Sequence, residues 1–175
     1  MEIHRLTSAQ TDELLPELAA LLQDAVAGGA SVGFLPPLSA DEAIGYWREV
    51  VAALQGSHRI LLVAREDGRL AGTVQLDLAS RPNGAHRAEV AKLMVHTGFR
   101  RRGIGQALMR AVEAEAHAAG RTTLVLDTRA GDPSERLYAS LGFQHAGTIP
   151  EYARGADGSL HDTVYMYKLL KKESP

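Results

Sequence analysis

A chain of 175 residues with 45% hydrophobic content is long enough to bury a full core, and its length fits one domain better than two. Lys and Arg total 19 against 21 Asp and Glu, a formal net charge of -2 that argues against a general nucleic-acid or membrane-surface binder, so any anion site must be local. The absence of cysteine excludes disulfides, thiolate nucleophiles and thiolate zinc sites.

Met1 to Thr7 has no basic segment followed by an apolar one, and runs such as Ile60 to Ala64 are too short to span a bilayer. A soluble, unprocessed, cytoplasmic protein is expected. Leu14, Leu15, Leu18, Leu21, Leu22, Ala25 and Val26 fall at helical spacing, with Pro16 near the start and Gly28-Gly29 as the stop. Gly29 to Leu38 reads as a loop. Ser39-Ala40-Asp41-Glu42 has capping-box spacing and opens a second amphipathic helix, with Ala43, Trp47, Val50, Val51 and Leu54 on its apolar stripe and its end by Gly56.

Arg59 to Arg65 and Leu70 to Leu78 flank Asp67-Gly68, a hairpin signal. Arg81-Pro82-Asn83-Gly84 marks a turn, and Arg87 to Val95 forms the next strand. After the basic loop His96 to Arg102, a helix carries Ile104, Leu108, Ala111, Val112 and Ala119 to Gly120. Thr122 to Leu126, bounded by Asp127, reads as a buried strand parallel to its predecessor across the crossover helix. Asp132-Pro133-Ser134-Glu135 combines an N-cap, a first-turn proline and a capping-box glutamate, opening a short helix that Gly142 closes. Phe143 to Ile149 and Thr163 to Leu169 supply late strands around the Asp157-Gly158 turn. Helices up front, hairpin strands, one crossover and closing strands predict an α/β or α+β fold, a mixed sheet with helices packed on it, in one domain over 1–170 with a free tail at 171–175.

The chemistry concentrates in Arg100-Arg101-Arg102-Gly103-Ile104-Gly105, between a strand and the start of a helix, where unpaired amides point at solvent. Glycines at 103 and 105 let backbone approach phosphate oxygens, and the helix dipole with the arginines favours negative charge. A bland reading makes the arginines an ordinary solvated face. A P-loop would need Gly-Lys-Ser/Thr and a dinucleotide fingerprint a third glycine at 108, where Leu108 stands.

The pattern that fits, Arg-x-x-Gly-x-Gly after Lys92-Leu93-Met94-Val95, resembles the cofactor signature of the GNAT superfamily of N-acetyltransferases. Within it the chain looks most similar to the tabtoxin resistance protein type of acetyltransferase. That likeness rests on Gly28 to Phe34, Pro82-Asn83-Gly84, Arg87-Ala88-Glu89-Val90, Leu126-Asp127-Thr128, Asp157-Gly158 and Leu160-His161. The resemblance implies a mixed sheet with helices on both faces and two parallel strands splayed into a cleft for acetyl-CoA. The pantetheine arm would pair with backbone around Leu93, Met94 and Val95, and the pyrophosphate would sit on Arg100, Arg101, Arg102, Gly103, Ile104, Gly105 and Gln106. It implies Glu89 and Asp127 as acids that take the proton of an amine or hold its charge, and Tyr138 as the general acid for the thiolate. Without it, Glu89 is an exposed strand residue, Asp127 a strand-end turn partner and Tyr138 a core aromatic.

Ser31, Phe34 and Asn83 are candidate acceptor contacts, with Gly28 to Leu38 and Ile149 to Leu160 as the acceptor walls. The 7 histidines lack metal-ligand spacing, so no metal is expected, although His86 and His161 adjoin family-like segments. The Gly-x-Ser-x-Gly elbow of a serine hydrolase is absent. The reading is therefore an acetyl-CoA-dependent N-acetyltransferase, an acyltransferase acting by direct transfer to a small-molecule amine, such as an amino-acid-like toxin or antibiotic in a resistance role. A homodimer is its expected assembly. Its alternatives are a non-catalytic coenzyme A sensing module and a protein-interaction domain.

Overall fold

The computed structural model describes residues 1–170, so the expected tail at 171–175 lies outside the described residues. Seven strands form one sheet in the order β1-β2-β3-β4-β5-β7-β6. In chain order the elements are β1 (Glu2–Leu6), α1 (Ser8–Glu13), α2 (Leu15–Ala27), α3 (Ala40–Gln55), β2 (Arg59–Glu66), β3 (Arg69–Leu78), β4 (Arg87–Val95), α4 (Ile104–Ala118), β5 (Thr123–Arg129), α5 (Pro133–Ser140), β6 (Gln144–Arg154) and β7 (Leu160–Leu169). Neighbouring strands are antiparallel except β4 and β5, which the α4 crossover makes parallel.

Alternation along β2 sorts its side chains onto two cores. Ile60, Leu62 and Ala64 join α4 and its Leu108, Met109 and Val112 on one face, while Leu61 and Val63 join Leu18, Leu22 and Trp47 of α2 and α3 on the other. A strand buried on both faces has to be apolar throughout, which is why Ile60 to Ala64 carries no polar residue. At Gly72 of β3 an added Cβ would meet the Met94 carbonyl oxygen at 2.6 Å and Leu108 at 3.1 Å, so α4 seats close to the sheet only because this residue has no side chain.

Several sequence expectations are corrected. The chain opens on a strand, not on helices: β1 pairs with β2, but only its Leu6 is buried, so Glu2–Leu6 has no hydrophobic alternation to read. A separate first helix, α1, precedes α2; Thr7 and Gln10 close a capping box there, and Leu14 is the joint. Ser39 and Glu42 form the expected capping box on α3. The box expected at Asp132 does not form: Asp132 accepts from Arg129 Nε at 3.0 Å, and Glu135 accepts from the Gly131 amide at 2.9 Å. β5 runs on to Arg129, which makes Asp127 an interior strand residue and not a strand end, because its pairing with β7 continues to Arg129↔Thr163. β6 and β7 are likewise longer than their apolar cores suggested.

Candidate active site

β4 and β5 pair only over Arg87↔Thr123, Ala88↔Leu124 and Glu89↔Val125. Beyond these residues β4 stays with β3 as far as Gly72↔Val95, and β5 stays with β7 as far as Arg129↔Thr163. The two therefore diverge, and a slot opens between their C-terminal halves. The register shift between Thr73 and Gln75 marks a bulge opposite Lys92, whose φ of 52° is positive. A bulge bends the strand that carries it and re-aims its side chains. Before it, Ala88 and Val90 belong to the α4 core; after it Met94 belongs to the α2/α3 core, while Leu93 and Val95 border the α4 side. Backbone groups of β4 that face the slot have lost their strand partner and call for a ligand that can hydrogen-bond along an extended edge.

At the mouth of this slot the chain turns into α4. Gly103 is the N-cap with φ of 79°, and Arg101 also has a positive φ of 63°. The first amide to reach a helical carbonyl is that of Ala107, on Gly103 O at 3.0 Å. Among the described residues the amides of Arg101, Arg102, Gly103, Ile104, Gly105 and Gln106 have no backbone acceptor, while buried Ile104 anchors the turn. A Cβ on Gly103 would meet nothing within 4 Å, so the approach to these amides is open. Together they fit a diphosphate.

The arginines divide their work. Arg100 folds back, donating from Nε to Val95 O at 3.4 Å, and Arg102 stacks over Phe99 at 5.4 Å. Arg101 is exposed and forms no side-chain hydrogen bond or ion pair among the described residues. Asp24 braces the preceding turn by accepting from Thr97 N at 2.7 Å and Thr97 Oγ1 at 2.6 Å. Burial pushes its carboxyl up, but these bonds and the neighbouring His96 and Arg100 outweigh that and hold it below its ordinary value.

Glu89 and Asp127 come together on the face of the sheet opposite α4, on the two strands that part. Burial, then the Asp127 and Asp77 charges, raise the Glu89 carboxyl above its ordinary value. Burial raises that of Asp127, with the Lys92 ammonium opposing it. Both remain open to solvent. Tyr138 approaches from the other face: it lies on α5 in the α4 core, 5.9 Å from Phe143, and burial followed by the Asp127 charge pushes its hydroxyl up.

Ser31 and Phe34 line a cavity of about 290 Å³ with Arg129, Arg154 and His161. The two segments expected as walls do meet there, although much of the second, to Arg154, is strand. Asn83 is not brought to it: it is exposed in a short 3-10 turn (Pro82–Gly84) before β4, at the opposite end of the parallel pair. His86, in the same connection, accepts on its carbonyl from the Thr122 and Thr123 amides.

Sequence reasoning passed over Lys92, Tyr165 and Arg129. Tyr165 is the register partner of Asp127, and its hydroxyl donates to Tyr152 Oη at 2.9 Å. The signal for Lys92 was a charge inside an apolar strand. Among the described residues no group of three or more His, Asp or Glu side chains could hold a metal ion, and no helix is long and apolar enough to cross a membrane.

Residues 31–143 match the model of the acetyltransferase (GNAT) family. An uncharacterized N-acetyltransferase encoded in the hisH-hisA intergenic region of Azospirillum brasilense is 34% identical over 129 residues, covering 73% of this chain and 74% of that protein. The ribosomal-protein-alanine N-acetyltransferase of Brucella melitensis superposes with a TM-score of 0.81 at 24% identity, over 97% of this chain and 100% of its own. The yncA protein of Salmonella typhimurium, solved with its cofactor acetyl-CoA, gives 0.79 at 20% identity, over 99% and 96%. At these identities the solved structures speak for the shared fold.

Proposed function

The chain belongs to the acetyltransferase (GNAT) family, and we propose that it transfers the acetyl group of acetyl-CoA to the amine of a small molecule by direct attack in a ternary complex. The observation that carries the reading is the run of unpartnered amides from Arg101 to Gln106 at the mouth of the slot that opens beyond Glu89 and Val125. The amides would hold the pyrophosphate, and β4 backbone from Leu93 to Val95 the pantetheine arm. When bound, acetyl-CoA supplies a thioester carbonyl open to a neutral amine.

Glu89 and Asp127 accept the proton that an ammonium acceptor must lose, directly or through water. Their raised carboxyls suit this task better than ordinary ones, since a base works best with a pKa nearer the working pH. The pair also attracts the cationic acceptor. Tyr138 reaches the reacting centre from the other side and protonates the departing thiolate; its raised hydroxyl keeps the proton until then. A small acceptor is favoured by the modest cavity of about 290 Å³. An amino-acid-like molecule follows from the tabtoxin-resistance likeness, and with it a resistance role in the cytoplasm. One domain over 1–170 and a homodimer through the exposed edge strand β6 complete the reading.

The test is thiol release from acetyl-CoA against a panel of small amines, amino acids and N-terminal peptides, with calorimetry of coenzyme A and a sizing column on the same preparation. Turnover with a small amine, and loss of coenzyme A binding in Gly103→Glu, are the expected results. Binding without turnover on any amine would overturn the catalytic reading, and absence of binding would overturn the site.

A further inference from the structure

The loop from Gly28 to Leu38 walls the acceptor cavity yet carries no titratable side chain. It is held by two cations that reach its backbone from the two strands that part. Lys92 Nζ, from the bulge in β4, donates to Val32 O at 2.8 Å. Arg129, at the end of β5, donates from its guanidinium to Gly29 O at 3.2 Å while bonding Asp132. Val32 is buried in the α2/α3 core, so Lys92 pins the loop at its one deeply seated residue.

We propose that Lys92 and Arg129 are positioning residues that fasten the acceptor loop to the two diverging strands. The inference rests on the acetyl-transfer reading for its consequence in catalysis, but not for its structural content.

The bulge is what makes the first contact possible. In regular β4 geometry Lys92 would share the face of Ala88 and Val90, under α4; the positive φ turns it to the face of Glu89, where its ammonium lies 5.8 Å from the Tyr46 ring. There the charged and titratable groups around it are Asp127 from β5, Glu89 from β4, Asp77 from β3, Arg59 from β2 and Tyr46 from α3. Asp77 is engaged by Arg59 in a two-bond pair at 2.5 and 2.9 Å. Burial lowers the Lys92 ammonium, and the surrounding carboxylates counter that. A loop of uncharged residues is thereby tied to both parting strands, and widening of the slot would pull on both fastenings.

The experiment compares Lys92→Met, Lys92→Arg and Arg129→Met with the unaltered chain. Amide exchange over residues 28–38 is expected to rise about tenfold in Lys92→Met and in Arg129→Met, the equivalent of one lost charge-assisted hydrogen bond. Lys92→Arg keeps a cationic donor, and its loop exchange is expected to rise less than that of Lys92→Met. In turnover, KM for the amine should rise while KM for acetyl-CoA changes little. Should Lys92→Met not fold, Lys92→Gln carries the same arms. Unchanged loop exchange in Lys92→Met and Arg129→Met overturns the proposal. Absence of turnover in the unaltered chain would instead count against the acetyl-transfer reading, leaving exchange to decide this one.

Discussion

Glu89 and Val125 are the last residues that pair across the parallel strands β4 and β5, and the slot opens beyond them. Residues further along β4 remain paired with β3, and those along β5 with β7, so neither strand frays. The slot is a designed parting held on both outer sides. Its position sets where an extended ligand would end relative to Glu89 and Asp127.

Gly72 tests the seat of α4. Because a Cβ would meet the Met94 carbonyl oxygen at 2.6 Å, Gly72→Ala forces backbone apart. A loss of about 1–3 kcal/mol is expected for such overpacking, or roughly 2–12 °C in Tm. A melt unchanged within error would mean that β3 and β4 shift apart at this point without cost.

Glu89 gives a prediction with a sign. Its folded carboxyl is raised above the unfolded one, so the folded state binds the proton more tightly; the stability this adds is present below the unfolded value and is lost as pH rises through the folded value. Glu89→Gln should therefore melt higher than the unaltered chain at neutral pH and lose that advantage in acid, while turnover falls. Denaturant midpoints measured across the carboxylate range check this, and a variant less stable at neutral pH would show Glu89 to be a structural partner instead of a strained acid.

Tyr138 separates chemistry from binding. Tyr138→Phe keeps the ring that packs on Phe143 and removes only the hydroxyl. Thiol release should fall about 100-fold, the usual worth of a general acid, with coenzyme A affinity within about twofold by calorimetry. Equal turnover in the two proteins would assign Tyr138 to the core alone.

Much of the architecture was legible because its signals are local. Ser39 with Glu42 and the Arg59 to Leu78 hairpin were readable from spacing within a few residues. β1 was not, since only Leu6 of its five residues is buried and its sequence shows no hydrophobic alternation. The Asp132 cap failed for a related reason: Arg129, three residues earlier, competes for the same carboxylate, and no motif carries that competition. For the site, the turn of unpartnered amides could be located by pattern, whereas Lys92 could not be joined to Val32 nor Tyr165 to Asp127. Their meeting depends on strand order and on a bulge.

By itself the sequence determined the order of most elements and the turn of unpartnered amides at Arg101 to Gln106, because helix starts and tight turns are decided by neighbouring residues. Only the tertiary structure decided that β4 and β5 part after Glu89 and Val125, that the bulge carries Lys92 to the acid face, and that an uncharged loop is tied to both strands. Those relationships join residues far apart in the chain, and their geometry is fixed by packing α4 on one side of the sheet and α2 and α3 on the other.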